Sequence, residues 1–355
     1  MEFLKIFFFL ALKLTLLGRA LGVPQPKDKV DPQPKNISKS ENSTDSTSYL
    51  GTAVTGKLLE SDSAYANIVM KYFQVMTPGN EMKWQSLKPN RDGQYNFNDM
   101  DKIIEFGQQN KKKVRGHTII WHRQYPQWLE NLDKNSLLEE TNKHIETVME
   151  RYASKLISMD VCNEIIGDDG SLRQNIWMKK IGEDYITQVF QMARKASQKY
   201  NPKLKLYIND YSIEGINQKS NKLYEIAGNL KKLGILDGLG FQSHLIVGQV
   251  PKDMTKNMER FADLGLEVTI SELDIRIELS KKSESVIKQQ EDDYKQVAKN
   301  CKAVKQCAGV IVWGVTDKDS WIPQEFPGYG DALLFDSNNQ PKNALKDVMQ
   351  IMRKS

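Results

Sequence analysis

The stretch SLLEETNKHIETVMERYASKLISMDVCNE, residues 136–164, decides the fold. Leu138, Thr141, Ile145, Val148, Met149 and Tyr152 recur at helical spacing. Ser136 stands where an N-cap belongs, with Glu139 three residues on in a capping-box arrangement, so a helix is predicted over Ser136–Leu156. Met159–Asn163 then reads as a strand, and Glu164 follows at its end. The same alternation runs outward from here. Strands are predicted at Leu50–Val54, Val75–Pro78, Val114–Trp121, Lys205–Asn209, Gly238–His244, Glu267–Glu272 and Gly309–Val315, with helical patterns in the gaps. Alternating strands and helices imply parallel pairing. Eight such units in about 300 residues fit a single (β/α)8 TIM barrel, whose site lies at the C-terminal ends of its strands. An open doubly wound sheet is the alternative. It usually carries a Gly-rich nucleotide loop, and the chain has neither G-x-G-x-x-G after the first strand nor a P-loop.

The N-terminal segment reads differently. Lys5, the apolar runs Ile6–Leu12 and Leu14–Leu17, and Ala20-Leu21-Gly22 compose a secretory signal peptide over residues 1–22, although Lys13 interrupts its core. The rival reading, a membrane anchor, falls short of the roughly 20 apolar residues that span a bilayer. Residues 23–48 are rich in Pro, Lys, Ser, Thr and Asn and read as a disordered linker. The barrel then occupies residues 49–355. The linker holds two glycosylation sequons, at Asn36 and Asn42. The expected product is a secreted, extracellular monomer with no membrane partner. In that setting Cys301 and Cys307 are expected to form a disulfide. Cys162, the third cysteine, is expected to be a buried thiol sharing a strand face with Asp160 and Glu164. Net charge is +5 with 27% charged residues, so the signs nearly balance. Lys111-Lys112-Lys113 reads as a solvated face, and no nucleic-acid partner is expected. The four histidines form no zinc-binding pattern, and neither metal nor cofactor is expected.

The predicted strand ends concentrate chemistry. They carry Asn80, Glu81, Lys83 and Trp84; His117, Trp121 and His122; Asn163 and Glu164; Asn209, Asp210 and Tyr211. Further on come Gln242 and His244, then Glu272 and Asp274, then Trp313 with Trp321 beyond it. Aromatic faces with oriented amides and charges are the general form of a ligand site and suit a sugar. Two glutamates on separate strand ends facing one pocket are the equipment of glycoside hydrolysis.

Nine strings, in order over roughly residues 49–350, resemble the xylanases of glycoside hydrolase family 10. They are Thr77-Pro78-Gly79-Asn80-Glu81-Met82-Lys83-Trp84, Arg115-Gly116-His117-Thr118 through Trp121-His122, and Asp160-Val161-Cys162-Asn163-Glu164. Asp168-Asp169-Gly170-Ser171, Ile181-Gly182-Glu183-Asp184-Tyr185 and Leu206-Tyr207-Ile208-Asn209-Asp210-Tyr211 follow. The last are Gln242-Ser243-His244-Leu245, Ser271-Glu272-Leu273-Asp274 and Val312-Trp313-Gly314-Val315-Thr316-Asp317. The resemblance implies a retaining endo-β-1,4-xylanase acting on plant cell-wall xylan or xylo-oligosaccharides. It implies Glu164 as general acid/base and Glu272 as nucleophile, with the carboxyls about 5–5.5 Å apart. It assigns Asn163 to the 2-hydroxyl of the −1 sugar and His244 to orienting the nucleophile. Asn80, Lys83, His117, Trp121 and Gln242 would line the −1 region and its neighbours. Trp313 and Trp321 would wall the −1 site, and Tyr211 would stack on the aglycone side. His122 and His144 read as structural or exposed. Plant inhibitor proteins are the macromolecular partners that the resemblance admits.

The chain also departs from the family. Gly79 stands where members commonly have a Glu that binds the −2 xylose. A lost charged hydrogen bond there would cost about 1.5–3 kcal/mol. Gln85, Ser212 and Cys162 are further departures. Gly79 leaves open a variant of the same chemistry, hydrolysis of a glycosylated plant saponin, against which Trp313 and Trp321 argue by crowding a hexose. A non-catalytic binder is the alternative of a different class; both glutamates and their partners speak against it.

Overall fold

The computed structural model describes residues 48–353. The signal peptide, nearly all of the linker and both sequons lie outside the described residues. Eight parallel strands close a barrel: β1 (Tyr49–Val54), β2 (Val75–Pro78), β3 (Lys113–Trp121), β4 (Ser158–Asn163), β5 (Lys205–Asp210), β6 (Gly238–Phe241), β8 (Glu267–Glu278) and β9 (Cys307–Val312). Each pairs with the next in that order, and β9 pairs back with β1. Two short strands extend the rim. β7 (His244–Ile246) runs parallel to the outer half of β8, and β10 (Tyr329–Gly330) runs antiparallel to its end. Helices such as Lys134–Tyr152, Tyr185–Tyr200 and Glu284–Ala303 surround the strands and bury their apolar stripes against them.

Several local expectations shift. The helix predicted over Ser136–Leu156 spans Lys134–Tyr152, because Asp133 is its cap: its carboxylate accepts from the Ser136 N–H at 2.8 Å. An aspartate caps as well as a serine, so the helix starts earlier and no capping box forms at Ser136. The strand predicted over Gly238–His244 is broken. It ends at Phe241, Ser243 turns with φ +64°, and His244 opens β7. β8 runs on past Glu272 to Glu278, whereas β9 stops at Val312, before Gly314 turns at φ +142°. The simple alternation expected for Cys162 also fails. The β4–β5 register shifts between Asp160 and Cys162, and the free thiol lies in the apolar core, where burial pushes its pKa up. Cys301 and Cys307 are disulfide-bonded and tie the helix Glu284–Ala303 to the start of β9. A loop this short contributes roughly 2 kcal/mol through the unfolded chain.

The lower barrel interior is polar and is opened by small residues. Arg115 is fully buried, forks onto Asp160 and lies 4.4 Å from the Tyr207 ring centre. Room for it comes from β6. A Cβ on Gly238 would lie 2.4 Å from the Tyr207 ring, and one on Gly240 would lie 2.1 Å from Asn209 Oδ1 and 2.9 Å from Arg115 Nη2. These contacts place Gly240 directly beneath the strand-end residues. By contrast, a Cβ on the helical Gly228 meets nothing nearer than Leu264 at 3.9 Å. Gly240→Ala is therefore expected to lower stability by about 1–3 kcal/mol through overpacking. Gly228→Ala is expected to raise it by about 0.5–1 kcal/mol. Urea unfolding of the two variants measures both signs.

Candidate active site

The site begins with Glu272, held in β8 at the barrel mouth and only 4% exposed. Burial opposes its ionisation, yet its pKa lies below the ordinary glutamate value. The His244 hydrogen bond, the charges of His117 and His244, and the Asn209 hydrogen bond outweigh burial. His244 stands where the broken strand turns back to meet β8. Its Nε2 is 3.3 Å from Glu272 Oε2 and its Nδ1 is 2.9 Å from Asp274 Oδ2. Glu272 and Asp274 are two apart on β8, so the strand presents both carboxylates to one ring. Burial drives the His244 pKa down, but Asp274 and then Glu272 bring it up to about 10. His244 is thus an imidazolium at neutral pH and donates from both nitrogens. The Trp321 indole N–H donates to the same Asp274 oxygen at 2.8 Å.

Asn209, at the end of β5, donates to Glu272 Oε1 and accepts from Ser271 Oγ at 2.6 Å. Those two bonds fix which way its amide points. Its Nδ2 therefore faces Asn163 Oδ1 at 2.9 Å, and Asn163 must offer oxygen there. Gln242 Nε2 lies 3.2 Å from the same Asn163 oxygen and 3.2 Å from Glu164 Oε1. A row of three amides thus joins the two catalytic candidates. Glu164, 8% exposed, has φ +56°, a left-handed conformation uncommon for a residue with a Cβ. Its Oε2 lies 3.6 Å from His122 Nδ1. Burial, with the charges of Arg173, Arg123 and Lys219, depresses the His122 pKa to about 3, so this ring is neutral.

The other walls follow from β2, β3 and β9. Lys83 Nζ donates to Asn80 Oδ1 at 2.8 Å and Gln124 Oε1 at 2.7 Å, and lies 4.6 Å from the Trp121 ring centre. Burial lowers the Lys83 pKa to about 8, against the pull of Glu272, Glu164 and Glu81. His117 Nδ1 is 3.0 Å from Asp160 Oδ2 and 4.0 Å from Glu272 Oε1. Trp313 meets His117 edge-on at 5.2 Å between centroids. Tyr211 sits beyond Glu164, its hydroxyl bonded to Asp168. Among the described residues no group of three or more His, Cys, Asp or Glu is placed to hold a metal ion.

The structure therefore gathers Lys83, His117, Asn163, Glu164, Gln242, His244 and Glu272 round one mouth, with Trp121, Trp313 and Trp321 against them. Asn80 joins through Lys83. Sequence reading gave no role to Asn209, Asp274 or His122. The first two stood at predicted strand ends, and the period-two step from Glu272 to Asp274 was a usable signal. His122 also stood at a predicted strand end but was read as structural or exposed; the structure puts it beside Glu164. His144 does prove structural: it is buried, stacked on Trp84 at 4.0 Å. Chemically, the mouth offers one carboxylate held ionised from behind and a second carboxyl beside neutral groups.

Comparison with known proteins accords with this geometry. The family model described as glycosyl hydrolase family 10 matches residues 38–351. An endo-1,4-beta-xylanase of Agaricus bisporus is 39% identical over 306 residues, covering 85% of this chain and 90% of its own. The crystal structure of a glycosylated endo-beta-1,4-xylanase from Gloeophyllum trabeum superimposes with a TM-score of 0.82 at 38% identity, covering 86% of this chain and 96% of its own. Xylanase 10B from Thermotoga petrophila, solved in complex with xylobiose, gives 0.82 at 36% identity and covers 87% and 94%.

The raised His244 pKa has a thermodynamic consequence. A folded-state value of about 10 against an ordinary 6.5 gives stabilisation that is complete below pH 6.5 and is lost as pH rises through 10. The stability gap between the wild type and His244→Asn is thus expected to be widest near pH 6 and to narrow steadily towards pH 10.5. Thermal unfolding across that range measures it, and a gap independent of pH would contradict the imidazolium.

Proposed function

The chain belongs to glycosyl hydrolase family 10, and we propose that its Glu272 and Glu164 are the nucleophile and acid/base of this retaining endo-β-1,4-xylanase. The Asp274–His244–Glu272 arrangement carries the reading, because it keeps a buried carboxylate ionised and aimed. In the first step a Glu272 oxygen attacks the anomeric carbon while Glu164 gives its proton to the departing glycosidic oxygen. That breaks the xylosidic bond and leaves a glycosyl-enzyme ester. With the charge of Glu272 consumed, Glu164 takes a proton from water, and the water oxygen displaces Glu272 with net retention.

The Asn163 side chain is oriented by Asn209 and Gln242, and we assign its NH2 to the 2-hydroxyl of the −1 sugar. Lys83 and Asn80 would donate to other hydroxyls, Gln242 would offer its amide oxygen as an acceptor, and Trp313, Trp321 and Trp121 would cover the C–H faces. Tyr211 would meet the aglycone. The substrate is xylan or a xylo-oligosaccharide; the xylobiose bound by a close relative supports this. Export is read from residues 1–22. Among the described residues no helix is long and apolar enough to cross a membrane.

Reducing-sugar release from glucuronoxylan tests the reading. The wild type is expected to be active and Glu272→Ala to lose at least about 10⁴-fold in kcat, the scale of a lost nucleophile. A folded wild type inert on xylan would overturn the substrate, and an active Glu272→Ala would overturn the nucleophile. Gly79 supplies a second test. An added Cβ there meets nothing nearer than Val54 O at 3.5 Å, so a side chain fits. Gly79→Glu is expected to lower KM for xylo-oligosaccharides roughly tenfold, the equivalent of about 1.4 kcal/mol.

A further inference from the structure

The loop that carries Glu164 is gripped from outside the substrate path. After Glu164 the chain turns through a tight hairpin in which Ile166 pairs with Leu172 and the Gly167 N–H donates to Ser171 O at 2.7 Å. Arg173 follows the hairpin and reaches back across it. Its Nε donates to the Glu164 carbonyl at 2.9 Å, and its Nη2 donates to the Ile166 carbonyl at 3.0 Å and to the Tyr211 hydroxyl at 2.9 Å. Its own backbone N–H donates to Ile165 O at 2.8 Å. One guanidinium thus holds the backbone on both sides of Ile165 and also touches the aglycone-side tyrosine.

A second grip comes from β5. The Glu164 N–H donates to Asn209 O at 2.8 Å, and the Ile166 N–H donates to Asp210 Oδ2 at 3.2 Å. Asp210 is fully buried, with Lys219 Nζ 3.0 Å away. The same ammonium lies 3.3 Å from the Tyr211 ring centre. Burial raises the Asp210 pKa to about 6 against the pull of Lys219. The left-handed backbone of Glu164 costs of order 1 kcal/mol and persists only where its surroundings over-determine it. Here those surroundings are Arg173, Asp210 and the β5 backbone.

We propose that Arg173 is a positioning residue for proton transfer: it fixes the backbone of Glu164 and couples that position to Tyr211 on the aglycone side. Because it holds the acid/base and not the nucleophile, its loss should hurt only reactions whose leaving group needs a proton. An aryl xylobioside with a 2,4-dinitrophenolate leaving group departs without one, whereas phenyl xylobioside and xylan do not. This rests on Glu164 as acid/base, so Glu164→Ala is measured alongside.

The experiment compares kcat/KM, which reports the first chemical step, for 2,4-dinitrophenyl and phenyl β-xylobioside in the full-length wild type, Arg173→Gln, Arg173→Lys and Glu164→Ala. General acid catalysis contributes about 10²–10⁴-fold. Glu164→Ala should lose that range on the phenyl substrate and little on the dinitrophenyl one. Arg173→Gln should lose about 10²-fold on the phenyl substrate and less than about threefold on the other. Arg173→Lys keeps the charge but not the fork, and should show the same selectivity with a smaller loss. If Arg173→Gln does not fold, Arg173→Lys carries the test. Equal loss on both substrates, or loss on neither, overturns the proposal while Glu164→Ala stays selective. A Glu164→Ala without selectivity overturns the acid/base assignment instead.

Discussion

An ionised carboxylate sealed inside the barrel mouth is the constraint round which this protein is built. Moving a charge out of water costs several kcal/mol even after the surroundings relax. Glu272 meets that cost with a cationic ring on one oxygen and an amide on the other. The ring is cationic because Asp274 behind it, together with Glu272 itself, outweighs burial. Asp274 in turn is held by an indole N–H. Each group makes the next one's state tolerable, and the row ends at the tryptophan that would wall the sugar. Extension of β8 past the barrel to Glu278 is what makes this possible: a strand ending at Glu272 would leave Asp274 unplaced.

The same constraint reaches the barrel floor. Below Glu272, His117 bridges towards Asp160, and Asp160 is matched by the Arg115 fork. Carboxylates and nitrogen-bearing side chains alternate down the axis, where a purely apolar barrel would stack branched aliphatic side chains. Such a row fits only if neighbouring strands give up volume, which is the service of Gly238 and Gly240. The polar interior is therefore a packing arrangement as much as an electrostatic one. A methyl group on β6 would disturb Asn209 and, through it, both Asn163 and Glu272.

Much of this was legible in the sequence, and the limits are physical. Eight strand-like runs and the polar residues that follow them suffice for a barrel, because period-two burial and helical stripes are local signals. Glu164 and Glu272 stood out because carboxylates at the ends of apolar strands are conspicuous. The break at Gln242-Ser243 was not legible: Ser243 adopts a left-handed backbone that no serine advertises, and without that turn His244 would point elsewhere. Asp133 displaced Ser136 as a cap because both are good acceptors and the local pattern suits either. His122, Asn209 and Arg173 escaped for a different reason. Their chemistry lies in what they touch, and those partners are set by closure of the barrel and by the hairpin after Glu164.

The central claim is that Glu272 attacks the sugar and carries it. A 2,4-dinitrophenyl xylobioside with fluorine at C2 of the reacting sugar tests this most directly. The fluorine slows both steps by destabilising the oxocarbenium-like transition states, while the good leaving group lets the first step proceed. The account predicts one xylobiosyl group per chain, found by mass spectrometry of a proteolytic digest on the peptide containing Glu272. A label on Glu164 or any other residue, or no label in an enzyme that turns over xylan, would contradict it.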